Sequence, residues 1–323
     1  MSKPAPGATE IYPWLSGHWS FFMQRLNNEQ LAHALLIEGP AGIGKMVLAD
    51  AMVARLLCRE EQSRACGACR SCKLLSGLAH PDFFDLQTAE GSEVIKIDQV
   101  RTLIGKLDLT TSISERKVAF IHPAESMNGS AANALLKSLE EPAGNTVLIL
   151  VSDNPGNLPV TIRSRCQAIS IHQPDTALVM EWLEKSTGKA QQQTRHALQA
   201  AGGSPLRALQ YLESPGLDAY EQVRTCLATL LDRPGAVSRL SSELNEFNSV
   251  DLWRWLSTCT GEVIKSIMTG EPLDWLPADR NLCNKTLLEL QRQADKNRQL
   301  AVTQVRGDLL LQVWLIKWAE QVI

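Results

Sequence analysis

The chain has 323 residues, 44% hydrophobic and 21% charged, with a formal net charge of −3. That length can bury a sizeable core shared between two or three domains, and the slightly acidic total excludes a protein whose whole surface grips nucleic acid. No stretch approaches the roughly 20 apolar residues that span a bilayer, and the polar start from Met1 to Trp14 has no apolar run behind a basic end, so a cytoplasmic chain without membrane contact is expected. Its eight cysteines then point to free thiols or a metal site rather than disulfides.

From His33 to Glu38 an apolar run ends at Gly39, and a Gly-rich loop opens into a helical pattern over Lys45 to Leu57. The loop Gly39-Pro40-Ala41-Gly42-Ile43-Gly44-Lys45 fits the phosphate-binding pattern up to its lysine. Backbone N–H groups and Lys45 would hold phosphate oxygens at the helix N-terminus, which makes Gly39, Gly42, Gly44 and Lys45 candidate nucleotide-binding residues. A plain strand-to-helix turn that binds nothing is the alternative. The following residue should be a Ser or Thr that ligates magnesium, but it is Met46, whose thioether cannot replace a hard oxygen.

Cys58, Cys66, Cys69 and Cys72 follow with the spacing C-x7-C-x2-C-x2-C, which lets four thiolates converge on one tetrahedral zinc. Four sulfur ligands leave no open position for catalysis, so the module at about 58–80 reads as a structural staple. The interleaved Arg59, Arg64, Arg70 and Lys73 raise a DNA-reading alternative, whose signature would be salt-dependent binding by the isolated chain.

Apolar runs recur at Phe83 to Leu86, Val118 to Ile121, Thr146 to Val151 and Ala168 to Ile171, with helical patterns near Asp98 to Leu107 and Ser130 to Glu140. Strands alternating with helices predict a parallel α/β sheet. Val118 to Ile121 should be closed by an Asp for metal and a Glu for water, yet the chain continues His122-Pro123-Ala124-Glu125. Glu125 reads as a solvated helix start. No intrinsic ATPase is therefore expected.

After Pro174 helical patterns occupy 175–187, 190–201 and 204–213, up to the turn Ser214-Pro215-Gly216. From Leu217 onward the pattern stays helical, with Leu309, Leu310, Val313, Trp314 and Ile316 clustered near its end. Trp253, Trp255, Trp275, Trp314 and Trp318 suit helix packing or subunit contacts. Cys166, Cys226, Cys259 and Cys283 are expected to pack as small hydrophobes, and the six His form no ligand cluster. The expected domains are 1–174, 175–214 and 217–323.

Asn133 to Pro142 (Asn-Ala-Leu-Leu-Lys-Ser-Leu-Glu-Glu-Pro), Ser164-Arg165-Cys166 and His80-Pro81-Asp82 resemble the AAA+ subunits of bacterial DNA polymerase III clamp loaders. With the phosphate loop, the resemblance covers roughly residues 10–215. The degraded ATP site is similar to the delta-prime branch of that family rather than to the hydrolysing gamma/tau branch. An autonomous gamma/tau-type ATPase is the alternative.

The resemblance implies an α/β P-loop AAA+ domain with an inserted zinc module, a small helical lid and an all-α collar. It implies a place in a ring with gamma/tau and delta subunits, within a DNA-directed DNA polymerase holoenzyme that loads a sliding clamp onto primed DNA. It makes Arg165 an arginine finger acting in trans on a neighbouring ATP, where a guanidinium's planar donors suit a transferring phosphoryl group. It places a sensing residue at Ser152 and a second at Arg207, in Gly203-Ser204-Pro205-Leu206-Arg207. A local salt bridge is the plain alternative for both arginines. The cysteine module agrees with a structural zinc at this place in the chain.

Overall fold

Five apolar runs become strands, and alternation along β1 (Ala34–Glu38) shows why they read as continuously hydrophobic: Leu35 and Ile37 face one layer of core, Ala34 and Leu36 the other. A computed structural model describes residues 10–60, 62–89, 91–276, 282–301 and 307–320. Its chain divides into two compact units, Met1–Val179 and Met180–Ile323.

The first unit runs α1 (Ser16–Asn27), β1, α2 (Lys45–Leu57), α3 (Arg70–Ser76), β2 (Phe83–Leu86), α4 (Ile97–Leu107), β3 (Lys117–Ile121), α5 (Gly129–Glu140), β4 (Thr146–Ser152), α6 (Val160–Arg163) and β5 (Gln167–Ser170). The strands form one parallel sheet in the order β2-β3-β4-β1-β5. One face packs Leu48, Met52 and Val53 of α2 and Phe22 of α1 on Leu35, Phe120 and Ile149. The other packs Val100 and Leu103 of α4 and Leu135 and Leu139 of α5 on Leu36, Ala119 and Leu148. Each such aliphatic side chain contributes about 1.5–3 kcal/mol when fully buried.

Parallel pairing sets Glu38 beside both Ser152 and Ser170, and Ile121 beside Leu150. The loops that follow β1, β3 and β4 therefore open at one edge of the sheet, where open α/β sheets hold their ligands. α1 was not anticipated; it carries Phe22 into the core with Trp19, Met23 and Leu26 packed beside it.

α7 (Thr176–Thr187) carries the chain across the division between the units. The second unit continues through α8 (Gln191–Ala200), α9 (Pro205–Glu213), α10 (Gly216–Asp232), α11 (Val237–Leu244), α12 (Ser249–Thr269), α13 (Asn284–Leu300) and α14 (Gly307–Ala319). The expected turn at Ser214-Pro215-Gly216 shrinks to two residues, because α10 begins at Gly216. Asn248 caps α12 by accepting from the N–H groups of Val250 and Asp251, and Gly270 ends it at φ +74°.

The tryptophans lie mostly inside. Trp314 and Trp318 stack 5.6 Å apart and donate their indole N–H groups to Leu290 O and Leu227 O, and Trp253 meets Trp314 edge-on. Half-buried Trp275 donates to Glu262. Leu309, Val313 and Ile316 instead form an outward stripe at helical spacing on α14, each 45–50% exposed. Cys226 and Cys259 are buried as expected, but Cys283 is not: it is the exposed N-cap of α13, an extended residue ahead of the first turn rather than a helical core position. Among the described residues no helix is long and apolar enough to cross a membrane.

Candidate functional site

The loop after β1 takes its shape from two glycines. A Cβ on Gly39, at φ +148°, would lie 2.1 Å from Ile171 O, and one on Gly44, at φ +93°, would lie 2.6 Å from the Tyr12 ring. Tyr12 stacks on Trp14 at 5.0 Å, and Trp14 Nε1 donates to Ile43 O at 2.8 Å, so this aromatic pair braces the loop from outside. Sequence reasoning passed over the pair; two aromatics closing an otherwise polar start were the available signal.

Lys45 follows at the start of α2, its side chain 3% exposed. Its ammonium donates to Gly39 O at 2.7 Å and Pro40 O at 2.5 Å, and pairs with Asp153 Oδ1 at 2.6 Å. Asp153 follows β4 and was not among the anticipated site residues. Glu125 fixes the turn that carries it by accepting the N–H groups of Asp153 and Asn154 at 2.9 and 3.1 Å. Glu125 does lie at a helix start, in the short 3-10 turn Ala124–Ser126, but it is half-buried rather than solvated, because the turn after β4 supplies it with two backbone donors. Buried Ser152 accepts from Asn154 N–H at 3.2 Å. Met46 packs its thioether against the core, and His122 contacts Asp85 at 2.9 Å and the Phe120 ring at 4.6 Å.

The Sγ atoms of Cys58, Cys66, Cys69 and Cys72 all lie within 4.8 Å of one another. Cys66 and Cys72 are 3.9 Å apart, close to the roughly 3.8 Å edge of a tetrahedron with 2.3 Å Zn–S bonds, so the set fits a four-coordinate thiolate metal. Backbone N–H groups of Cys66, Cys69 and Cys72 point at the sulfurs of Cys58, Cys66 and Cys69 at 3.3–3.4 Å. Burial raises the Cys69 thiol, but donated N–H groups from Cys72 and Arg59 outweigh it and bring it to about 6.

Behind the cluster lies a buried polar knot. His80 Nε2 meets Ser71 Oγ at 2.8 Å and Ser114 Oγ at 3.2 Å, and both hydroxyls donate to Leu57 O, the last residue of α2. Asp82 N–H donates to His80 Nδ1, so Nε2 carries the imidazole proton and cannot accept one from Ser71. The knot is structural, and it explains the His80-Pro81-Asp82 segment: the thiolate module is tied through it to α2 and to the loop before β3.

Arg165 lies in the turn between α6 and β5. Nε donates to Glu140 Oε1 at 2.6 Å, a second guanidinium nitrogen contacts the same oxygen, and a third donates to Thr161 O at 3.0 Å. The pair is open to solvent, 33% exposed on the Arg165 side and 51% on the Glu140 side. Cys166 is half-buried, and burial pushes its thiol up to about 11. Arg207 on α9 lies near Tyr211, Asp251, Arg254 and Arg298; burial and the two neighbouring guanidiniums lower its pKa.

The family described as "DNA polymerase III, delta subunit" matches residues 15–175. The chain is 38% identical over 317 residues to "DNA polymerase III subunit delta'" of Pseudomonas aeruginosa, covering 97% of this chain and 92% of the relative. The chain belongs to the DNA polymerase III delta-prime family. A second member of the delta-prime family, from Yersinia pestis, is 31% identical over 323 residues, with 95% of each chain covered. A solved Thermotoga maritima protein described as DNA polymerase III gamma subunit-related superposes with a TM-score of 0.50 at 15% identity, covering 95% of this chain and 99% of that one, a likeness of fold alone. In this member of the family the glycine loop between β1 and α2 is followed by Met46, and β3 by His122.

Proposed function

We propose that this chain is the delta-prime-type subunit of a clamp loader, which supplies Arg165 to a neighbouring ATP and hydrolyses none itself. One observation carries the reading: Met46 and His122 stand where magnesium ligands are needed, while Arg165 lies at the surface, its guanidinium held by a solvent-open pair with Glu140 and one bond to Thr161 O. In this role Glu140 parks the guanidinium until a partner's γ-phosphate replaces it. Gamma/tau and delta subunits are the ring partners, and clamp and primed DNA are met through the ring.

The lid (175–214) and collar (217–323) act as separate domains in this reading. The outward stripe of Leu309, Val313 and Ile316 on α14 is the collar surface that meets a neighbour, since exposed apolar spacing of this kind suits a helix–helix contact. Cys58, Cys66, Cys69 and Cys72 hold a structural zinc, with no open position for chemistry. Arg207 reports on a nucleotide only if the phosphate loop holds one.

The test combines the chain with gamma/tau and delta subunits, reads the native mass, and compares ATPase of rings built with wild-type chain or Arg165→Ala. Assembly is expected to be unchanged, while clamp- and DNA-stimulated hydrolysis falls. A trans finger is worth about 10³–10⁵ at its own site, partly masked by the fingers at other sites. Arg165→Lys is expected to rescue poorly, because a point charge lacks the planar fork. Wild-type hydrolysis by the alanine ring would refute the finger.

A further inference from the structure

We infer that Asp153 is an internal stand-in for a phosphate, and that it keeps nucleoside polyphosphates out of a loop that could otherwise hold one. The inference rests on reading Gly39 to Lys45 as a phosphate loop, and it does not depend on the ring.

An ammonium has three protons, and three oxygens take them in Lys45: the carbonyls of Gly39 and Pro40 and the Asp153 carboxylate. The lysine end of the ion pair is buried in the loop, its side chain only 3% exposed, while the Asp153 carboxylate reaches it from the loop's open side. Asp153 is not a chance neighbour. Glu125 clamps its backbone N–H and that of Asn154, and Ser152 accepts from Asn154 as well, so the turn that presents the carboxylate is fixed from two sides. Register does the rest, since Glu38 at the end of β1 lies beside Ser152 at the end of β4.

The carboxylate opposes a phosphate in two ways. A phosphate oxygen must displace it from Lys45, and after displacement Asp153 remains beside the incoming anion as a like charge. In an active phosphate loop a magnesium ion offsets such crowding of negative charge. Met46 and His122 cannot provide its ligands here, so the repulsion has no counterweight. Loop backbone, helix N-terminus and lysine are all retained, which makes one carboxylate the deciding group.

The full-length chain is titrated with a fluorescent N-methylanthraniloyl ATP, followed by anisotropy, with and without added magnesium. Asp153→Asn and Asp153→Ala are expected to bind at least tenfold tighter than wild type in both buffers, and Lys45→Ala placed in the Asp153→Ala background is expected to remove the gain. Asp153 is about half exposed, so zinc content and melting temperature are expected to stay near wild type and verify folding. Equal affinity in wild type and both variants, or binding detectable in none, overturns the inference. So does a gain that survives loss of Lys45. Because the readout is binding by the isolated chain, failure here leaves the Arg165 reading untouched, and failure of the ring experiment leaves this one untouched.

Discussion

Asp82 is 1% exposed and accepts three backbone N–H groups, Ser112 on Oδ1 at 2.6 Å and Ile113 and Ser114 on Oδ2 at 2.8 Å each. Replacing it by alanine leaves three donors. Ser112 and half-buried Ile113 lie close enough to solvent to recover a water, whereas Ser114 is buried beneath the knot. With about 1–3 kcal/mol for a stranded buried donor and a smaller loss for each charge-assisted bond exchanged for water, Asp82→Ala should cost about 2–4 kcal/mol. Asparagine can put its one carbonyl at the Oδ2 position and keep two bonds, but its amide then faces the Ser112 N–H, a loss of about 1–2 kcal/mol. Ser114 also bonds Leu57 O, so the loosened loop should release the thiolate module early. Urea unfolding, followed by zinc release to a metallochromic dye, should rank wild type above Asp82→Asn above Asp82→Ala. An alanine variant within about 0.5 kcal/mol of wild type, or as stable as the asparagine variant, would show that Asp82 does not hold this loop.

Removal of two ligands by Cys69→Ser with Cys72→Ser should abolish zinc in elemental analysis and lower the first unit's denaturation midpoint, without touching a catalytic step. Retained zinc would refute the ligand set. His80 has its pKa lowered, chiefly by burial, with Asp82 opposing. A lowered folded value means that the unfolded chain binds the proton first, so this contribution is whole above about 6.5 and is lost as pH falls toward the folded value. His80→Gln should flatten that part of the stability–pH profile relative to wild type; identical slopes would refute it.

Strand positions were legible to within a residue because parallel strands buried on both faces read as near-continuous apolar runs, as β1 does from Ala34 to Ile37 and β4 from Val147 to Val151. The helix α1 was not, since its N-cap Leu15 makes no side-chain cap bond and only Phe22 is fully buried, so it lacks both a start signal and a clean stripe. The four cysteines were legible because their ligand spacing is local. Lys45 with Asp153, and Arg165 with Glu140, were not, because each pair is set by strand order and by the return of the chain, which no local window contains. Cys283 misled because a cap position is helical in pattern yet extended in backbone.

The two ion pairs at these loops predict opposite availability of their cations. Arg165 and Glu140 are both wet, and exposed pairs are worth about 0–1 kcal/mol, so an incoming phosphate can exchange for the carboxylate at small cost. Lys45 is nearly buried and its ammonium is already taken by Asp153 and by two carbonyls of its own loop, so an incoming phosphate must displace the carboxylate and then share the place with it. The glycines then have a use that needs no nucleotide: Gly39 lets β1 approach Ile171 O, and Gly44 makes room for the Tyr12 ring that braces the loop. A glycine loop whose lysine is paired internally is a structural joint between β1, α2 and β4. In the proposed ring it follows that the cation this chain offers to ATP is the wet one, Arg165, and the phosphate it meets is on another subunit.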